Sequence, residues 1–299
     1  FVSGNLSTIN WANGPYFIKT ETDPNGGTNY SITATTQLMS VPYALYAKKS
    51  TSTDGVGTLD QAYDYGAFKG AGRTIIADSG AFKITGEDGL LVTGTFGAGT
   101  QPEVQGGGTR MFFNPRKASL RAGNVISTQW DSTNVGTYST AFGKSTIASG
   151  SGSFAAGNNA KANGSGSTAM GNFTLADESS ATAFGNYTEA NGYASTAMGY
   201  ISKANGNSAV AMGYVAKANG DFSTAMNYFT EANGLASTAM GYNTKANGFA
   251  SCVVGQFNDT IVGAQTSLTY NTPMFTVGNG TSNTSRNNAL VVLNNGQVG

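Results

Sequence analysis

The chain has 299 residues, no formal net charge at neutral pH and only 11% charged residues, so its composition excludes a basic nucleic-acid binder and an acidic solvating tail. It contains no histidine, and Cys252 is its single cysteine, which excludes an intrachain disulfide, a cysteine metal site and the histidine-dependent nucleophile systems. No apolar run approaches the roughly 18 residues that a spanning helix needs, so we expect no membrane insertion in this segment. We also expect no cofactor, and we interpret Cys252 as a buried structural thiol.

Residues 1–50 are predicted to form a small N-terminal β module. Runs of β-prone residues at 16–20 and 30–33 flank the sequence Asp-Pro-Asn-Gly-Gly at 23–27, which is typical of a hairpin turn. The module ends in the apolar segment VPYALYA at 41–47. This part of the chain resembles a module of large secreted surface and fibre proteins of Bacteroidetes-type bacteria.

Residues 51–135 are predicted to form a glycine-rich β region and a cap. Five short β-prone runs lie between glycine-rich turns: 73–77, 81–85, 90–96, 109–115 and 118–123. The spacing of the first three indicates further β coils of looser register. We expect the last two to cap the repeat that follows, because a solenoid needs terminal caps.

Residues 136–259 are organised by a repeat of fourteen residues. Eight full units begin at Ser139, Ser153, Ser167, Ala181, Ser195, Ala209, Ser223 and Ser237, and a ninth begins at Ser251 and breaks off. A fixed short period indicates a solenoid, in which each unit packs on its neighbours. Fourteen residues are too few for a pair of helices, but they fit one coil of a β-roll with two short strands and two turns.

Two glycines half a coil apart mark the predicted turns. Position 5 of the repeat carries Gly143, Gly157, Gly171, Gly185, Gly199, Gly213 and Gly241, with Asn227 as the exception. Position 12 carries Gly150, Gly164, Gly192, Gly206, Gly220, Gly234 and Gly248, with Glu178 as the exception. Because glycine tolerates positive φ, we expect both positions to lie in turns that require it. Asparagine at position 11 completes an Asn-Gly turn signal in six units.

The alternation of small and bulky residues predicts which side of each strand faces inward. Positions 1, 3, 8 and 10 are alanine, serine or threonine almost throughout, so the interior of the roll should be very narrow. Position 4 points the other way and carries a bulky apolar stripe: Phe142, Met170, Phe184, Met198, Met212, Met226 and Met240. A soluble monomer rarely exposes such a stripe, so we expect these seven side chains, the position-4 stripe, to form an interface between copies of the chain.

The pattern S-x-A-x-G-x-x-[ST]-x-A-x-G-x-x resembles the head repeats of trimeric autotransporter adhesins, the YadA-like head. The resemblance implies that three chains each wind a left-handed parallel β-roll and pack side by side about a threefold axis. The expected fold is therefore all-β: a left-handed parallel β-roll of 14-residue coils in an elongated homotrimer, flanked by smaller β modules.

Two outward rows of the roll carry further predictions. At position 9, stacked coils should place Glu189 beside Lys203, and Glu231 between Lys217 and Lys245, which would tune register and solubility. At position 6, four consecutive coils carry Tyr200, Tyr214, Tyr228 and Tyr242. These four residues, the tyrosine ladder, should stack at the coil spacing of about 4.8 Å. Such a stack stabilises a solenoid by itself, and it could also grip a sugar or a protein, so we take it as the candidate binding ladder.

Residues 260–299 are predicted to form a C-terminal β connector. Strands are expected at 274–278 and 289–293, around a polar loop. The segment resembles the connector that precedes stalks, or an endosialidase-type intramolecular chaperone, in phage-like fibres.

No catalytic constellation is visible in the sequence. The carboxylate pairs Glu87/Asp88 and Asp177/Glu178 lie in turns rich in glycine and serine, where we expect them to be solvated. The turn at 23–27 lacks the ligand spacing of an EF-hand calcium loop. The chain is therefore not expected to be an enzyme.

These observations predict a structural, adhesive fibre protein. The leading hypothesis is a trimeric surface adhesin, extracellular or at the cell surface, that presents a binding surface to a host, a neighbouring cell or a matrix. The alternative is a receptor-binding tail fibre of a phage or of a phage-derived contractile injection particle, which would place the chain on a virus-like particle. The expected partners are two further copies of the chain and a glycan or protein receptor, with no nucleic acid.

Overall fold

The computed structural model describes residues 15–38, 80–85, 87–100, 105–261 and 264–299, and the chain divides into two units, residues 1–85 and 86–299. The first unit contains an antiparallel hairpin of β1 (Phe17–Thr22) and β2 (Ile32–Gln37). The carboxylate of Asp23 closes its turn by accepting hydrogen bonds of 2.9 Å from the amides of Asn25 and Asn29. These bonds lower the pKa of Asp23. The predicted hairpin is confirmed.

The described residues of the glycine-rich region differ from the prediction. The VPYALYA segment at 41–47 and the run at 73–77 lie outside the described residues. The runs at 81–85 and 90–96 form no hydrogen-bonded strand, so the prediction of β coils there is wrong. A β-prone sequence needs a neighbouring strand to pair with, and neither run has one among the described residues. Leu91, in the second run, is 85% exposed.

The repeat folds into two parallel sheets that face each other across a narrow interior. One sheet contains β5 (Thr140–Lys144), β7 (Phe154–Asn158), β9 (Thr168–Asn172), β11 (Thr182–Asn186), β13 (Thr196–Tyr200), β15 (Val210–Tyr214), β17 (Thr224–Tyr228), β19 (Thr238–Tyr242) and β21 (Cys252–Gln256). The other contains β6 (Ile147–Ala148), β8 (Lys161–Ala162), β10 (Leu175–Ala176), β12 (Glu189–Ala190), β14 (Lys203–Ala204), β16 (Lys217–Ala218), β18 (Glu231–Ala232) and β20 (Lys245–Ala246).

Each strand pairs in parallel with the strand fourteen residues away, as in Thr182↔Thr196 and Glu189↔Lys203. The described residues contain no α-helix, only two short 3-10 turns at Pro115–Lys117 and Ser132–Asn134. The fold is therefore all-β, a β-solenoid of about eight coils, as predicted.

The interior of the roll contains only small side chains. Alanines at positions 3 and 10, such as Ala141 and Ala148, have no exposed surface in any of the eight coils. Serine, alanine or threonine at positions 1 and 8 is also buried, as at Ser195 and Thr188. The predicted narrow interior is confirmed, and it leaves each coil with little apolar area to bury.

The glycine pattern predicted turns at positions 5 and 12, but position 5 lies inside the strands of the longer sheet, as Gly143 does in β5, so the prediction of turns there is wrong. The glycines at position 5 do have positive φ, from +111° at Gly143 to +137° at Gly213, and Asn227 takes +85°. The glycines at position 12 do not, so that part of the prediction is wrong. A Cβ on Gly206 would lie 2.1 Å from the carbonyl oxygen of Gly220 in the next coil. Successive coils approach each other closely at position 12, and this close approach, not positive φ, is what favours glycine there.

The remaining left-handed residues occupy positions 7 and 14, and most of them are not glycine. Position 7 includes Ile201 and Val215, with φ of +55° and +56°, and position 14 includes Ala194 at +52°. In the exceptional coil, the turn keeps its closing bond from the amide of Ala181 to the carbonyl of Glu178 at 3.2 Å. The change from glycine to glutamate therefore leaves the fold intact.

A hairpin caps the first coil, as predicted. β3 (Gly108–Asn114) pairs antiparallel with β4 (Ser119–Val125), and β4 pairs in parallel with β5. Arg121 of β4 stands in register with Ala141, and its buried guanidinium fills the mouth of the interior. Nη1 donates to the carbonyl of Ser139 at 2.8 Å, and Nη2 donates to the carbonyl of Ala148 at 2.9 Å. Burial lowers the pKa of Arg121 to about 10, so the side chain stays charged at neutral pH.

Side chains also close both ends of the eight-stranded sheet. Between inner coils, the position-9 amide donates to the position-8 carbonyl of the next coil, as in Lys161 to Thr174 at 2.8 Å. At the first coil, the indole Nε1 of buried Trp130 donates to the carbonyl of Thr146 at 2.9 Å instead. At the last coil, the Asn258 side chain stands in for the missing next strand, because its Oδ1 accepts a hydrogen bond from the amide of Lys245 at 2.7 Å.

The C-terminal strands extend the longer sheet. β22 (Pro273–Asn279) pairs in parallel with β21, and β23 (Asn288–Leu293) pairs antiparallel with β22. Both strands predicted in the connector are therefore confirmed.

Candidate binding and assembly surface

The position-4 stripe lies on the outer face of the longer sheet. Its members stand in register from strand to strand, as in Phe184↔Met198↔Met212. Phe184 is 48% exposed, and Met198 and Met212 are each 37% exposed in the single chain. Position 4 faces outward because the alanine before it faces the interior. The result is a continuous apolar row outside a roll whose inside is nearly full of alanine.

The tyrosine ladder is stacked as the coil spacing predicts. Ring centroids lie 5.0 Å apart for Tyr200 and Tyr214, 5.0 Å for Tyr214 and Tyr228, and 4.8 Å for Tyr228 and Tyr242. The ring planes deviate by 15° or less, and the side chains are between 37% and 44% exposed. One broad aromatic face therefore runs along four coils. Its role in binding remains a prediction.

The same position carries a different ladder in the preceding coils. The side-chain amide of Asn158 donates to Asn172 at 2.8 Å, and that of Asn172 donates to Asn186 at 2.9 Å. Position 6 therefore changes from a polar ladder to an aromatic one at Tyr200. This boundary divides the outer face of the roll into two chemically distinct parts.

A second aromatic row, which sequence reasoning missed, lies at position 7 beside the ladder. Phe229 meets Tyr228 with centroids 4.7 Å apart at 69°, and Phe257 meets Tyr242 at 5.2 Å and 63°. Both phenylalanines have positive φ. The sequence shows the aromatic residues, but not that position 7 is a turn that directs them beside the tyrosines.

The charged row at position 9 has the predicted partners. Lys203 Nζ lies 2.9 Å from Glu189 Oε1. Glu231 lies between Lys217 at 3.7 Å and Lys245 at 3.0 Å. These side chains are partly exposed, so each pair stabilises the roll by about 0–1 kcal/mol at most. The row sets register more than it holds the fold together.

Asparagines at position 11 form hydrogen-bonded ladders instead of the predicted Asn-Gly turns. The amide of Asn205 donates to Asn219 at 2.7 Å, Asn219 donates to Asn233 at 2.6 Å, and Asn233 donates to Asn247 at 2.7 Å. Their φ values are not positive. The repeated asparagine therefore serves pairing between coils.

The residues considered for chemistry do not converge. Glu87, Asp88, Asp177 and Glu178 are all exposed. Cys252 is only half-buried, so its interpretation as a buried structural thiol is wrong in its burial, and the partial burial raises its pKa. Within the described ranges, no group of three or more histidine, cysteine, aspartate or glutamate residues could hold a metal ion.

Comparison with known families bears directly on the roll. The model of the YadA head domain repeat, which spans two copies, matches residues 135–160, 148–174, 162–188, 176–202, 190–215, 204–226 and 232–248. The roll carries YadA head domain repeats. The matches omit residues 227–231, which include Asn227, the exception at position 5. YadA head repeats point to an adhesin-type surface fibre protein.

No match was found among the curated proteins compared with the chain. In the part of the chain that the structure describes, no helix is long and apolar enough to cross a membrane.

Proposed function

We propose that the chain forms a homotrimeric adhesive surface fibre, in which the YadA head repeats present a binding surface to a host, a neighbouring cell or a matrix. The observation that carries this proposal is the position-4 stripe on the outside of a roll that lacks an apolar core of its own. These seven apolar side chains need to be shielded from water, and further copies of the same chain are the simplest partners that would bury them.

The energetics of burial favour such an assembly. A Met or Phe side chain that is fully removed from water stabilises the folded state by about 1.5–3 kcal/mol. The interior of the coils, with its alanines, serines and threonines, supplies much less per residue. YadA-like adhesins are homotrimers, so three chains are the expected number. The stripe would then lie between chains.

The tyrosine ladder is the proposed contact surface for a receptor. Its rings are ordered by stacking and remain more than a third exposed in the chain. Large, rigid aromatic side chains contribute much contact area at little entropic cost. A trimer would repeat the ladder three times, and simultaneous engagement raises the overall affinity without new contacts.

The role proposed for the chain is mechanical and adhesive, at an extracellular or cell-surface location. The outer face of the roll offers stacked aromatic rings, amide ladders and paired charges, which suit recognition and register. The stacked coils give a stiff support for such a surface, since each one pairs with the next along its strands.

Bead adhesion tests this function. Beads coated with the full chain are incubated with epithelial cells, bacterial cells and extracellular matrix, and we expect firm attachment to at least one of these surfaces. Replacing Tyr214 and Tyr228 with alanine should reduce attachment at least tenfold, whereas Asn172→Ala, at the same repeat position in the polar ladder, should not. Attachment to none of the three surfaces would refute the proposal.

A further inference from the structure

A groove of about 500 Å³ lies where the last coils meet the loop at 281–284. Tyr228 and Tyr242 form one wall, with parallel rings 4.8 Å apart. Phe229 and Phe257 form a second wall, inclined at 69° and 63° to the adjacent tyrosine rings. The groove therefore presents two aromatic surfaces that meet at a steep angle, and its volume falls within the range of roughly 300–1,000 Å³ typical of ligand sites.

The opposite side of the groove is polar and uncharged. It is lined by Thr281, Ser282, Asn283 and Thr284 of the loop, and Asn243 adds a polar side chain between Phe229 and Phe257. No hydrogen bond joins the side chains of Asn243 and Thr281, or the hydroxyls of Tyr228 and Tyr242, to another described residue. These groups are free to donate to or accept from a ligand. No acidic or basic side chain is part of the groove lining, and the guanidinium of Arg286, which contacts that lining, is engaged in hydrogen bonds with Asn243, Asn258 and Asn283.

Arg286 holds the polar side of the groove in place. Its Nη2 donates to Asn283 Oδ1 at 2.8 Å, and its Nη1 donates to the carbonyls of Asn243 and Asn258 at 3.0 and 3.1 Å. Its guanidinium carbon also lies 5.9 Å from the centre of the Phe257 ring. One side chain thus ties the loop to the last coil and to the aromatic wall, and a preformed site loses less entropy when a ligand binds.

The aromatic wall is maintained against backbone strain. Phe229 and Phe257 have φ of +51° and +41°, a region that bulky residues seldom adopt. Asn243, between them in the stack, has a φ of +55°, which asparagine tolerates better. The same left-handed conformation recurs at position 7 throughout the roll, so it belongs to the geometry of the coil, and here it places the two phenylalanine rings beside the tyrosines.

We propose that this groove binds a neutral oligosaccharide built from hexopyranose units. The C–H face of a pyranose ring carries partial positive charge and stacks on the negative face of an aromatic ring. The uncharged hydroxyls and amides of the polar side match the hydroxyl groups at the edge of the sugar. This inference rests on the proposed function, since it names the ligand class of the tyrosine ladder and places the site at its C-terminal end.

Calorimetric titration of the full chain with cellohexaose, β-1,4-mannohexaose and β-1,4-galactohexaose tests the proposal, with polygalacturonate as the acidic comparison. We expect saturable binding of at least one neutral hexasaccharide and weaker binding of polygalacturonate. Tyr242→Ala should reduce the affinity at least tenfold. Tyr187→Ala, which removes an exposed stacked ring of the roll that belongs neither to the tyrosine ladder nor to the groove, should change it less than twofold. Asn243→Gly keeps a residue that tolerates positive φ and removes the free amide, so it should weaken binding severalfold even where Tyr242→Ala perturbs the stack.

Three results would overturn the proposal: no saturable binding of any neutral hexasaccharide, stronger binding of polygalacturonate, or equal losses in Tyr242→Ala and Tyr187→Ala. Bead adhesion that persists while all three hexasaccharides fail would refute the glycan site and leave the adhesive function standing. If a neutral hexasaccharide binds, binding of the chain to immobilised cell-wall glucan and to a glycoprotein with neutral glycans is compared, which distinguishes the two natural sources of such sugars.

Discussion

Asn258 and Lys245 are joined by a pair of hydrogen bonds that imitates a β ladder. The amide of Lys245 donates to Asn258 Oδ1 at 2.7 Å, and Asn258 Nδ2 donates back to the carbonyl of Lys245 at 3.1 Å. The next short strand would make the same two bonds if the repeat continued. The side chain thus satisfies the last edge strand, β20, which would otherwise be open to pairing with another chain.

Removing this side chain should weaken the last coil. Asn258→Ala leaves the amide and carbonyl of Lys245 without their partners, which should lower the free energy of unfolding by about 1–3 kcal/mol. Hydrogen exchange of residues 237–250 measures the loss locally. Asn271→Ala, in an exposed loop, is the matched control and should change stability by less than about 0.5 kcal/mol. Equal effects of the two variants would contradict this account of the cap.

Two glycines with positive φ should respond differently to alanine. A Cβ on Gly213 would lie 2.1 Å from the carbonyl oxygen of Asn227 in the next coil, so Gly213→Ala should destabilise the roll by about 3 kcal/mol or more. A Cβ on Gly152 would meet no atom of another coil within 4 Å, and Ala194 occupies the same repeat position. Gly152→Ala should therefore cost about 1 kcal/mol or less. Chemical denaturation compares the two, and similar losses would rule out close approach of coils as the reason for glycine at position 5.

Relief of backbone strain should stabilise the roll at position 7. Val215 has a φ of +56°, which is costly for a β-branched residue, whereas Asn243 holds the equivalent position at +55°. Val215→Asn should therefore raise the free energy of unfolding by about 1 kcal/mol, as thermal denaturation would record. A loss of stability would instead mean that the valine side chain packs against a partner chain.

Stability should be almost independent of pH between 6 and 8. The chain has no histidine, and among the described residues burial lowers the pKa of Arg121 to about 10, lowers that of Lys117 and raises that of Cys252. Folded and unfolded chains then bind the same number of protons at these groups below pH 8, so the slope of stability against pH is near zero.

At higher pH the signs differ. The folded chain retains the Cys252 thiol proton longer, so that contribution falls as the pH rises through 9. Arg121 binds fewer protons in the folded chain above pH 10, so its contribution rises there. A thermal midpoint that moves by more than about 3 °C between pH 6 and 8 would contradict this assignment of charge states.

The repeat made the fold predictable, because fourteen-residue identity places equivalent residues in register in every coil. It also placed the alanines inside, the position-4 stripe outside and Glu189 beside Lys203. The pattern could not separate the reasons for glycine, since Gly213 combines positive φ with close approach to the next coil and Gly206 shows close approach alone, yet both appear as glycine in the sequence.

The repeat pattern could not predict how the two ends of the roll are capped. Trp130 and Asn258 each act once, so no period reveals that they replace missing strands. The groove joins Tyr228 to Thr284, which are far apart in the chain and meet only because β22 and β23 extend the stack. The β-prone run at 90–96 led to a wrong prediction of a strand, because a strand needs a pairing partner and the sequence of the run does not show whether one is present.

Sedimentation equilibrium of the full chain and its Met212→Asp variant tests whether the position-4 stripe holds copies together. The chain should sediment at three times its mass of 30.6 kDa, and Met212→Asp should sediment as a single chain, because a carboxylate cannot be buried among methionines without a partner. Lys161→Asp, on the outer face of the other sheet, should remain trimeric. A wild-type chain that sediments at 30.6 kDa, or a Met212→Asp variant that remains trimeric, would contradict the account.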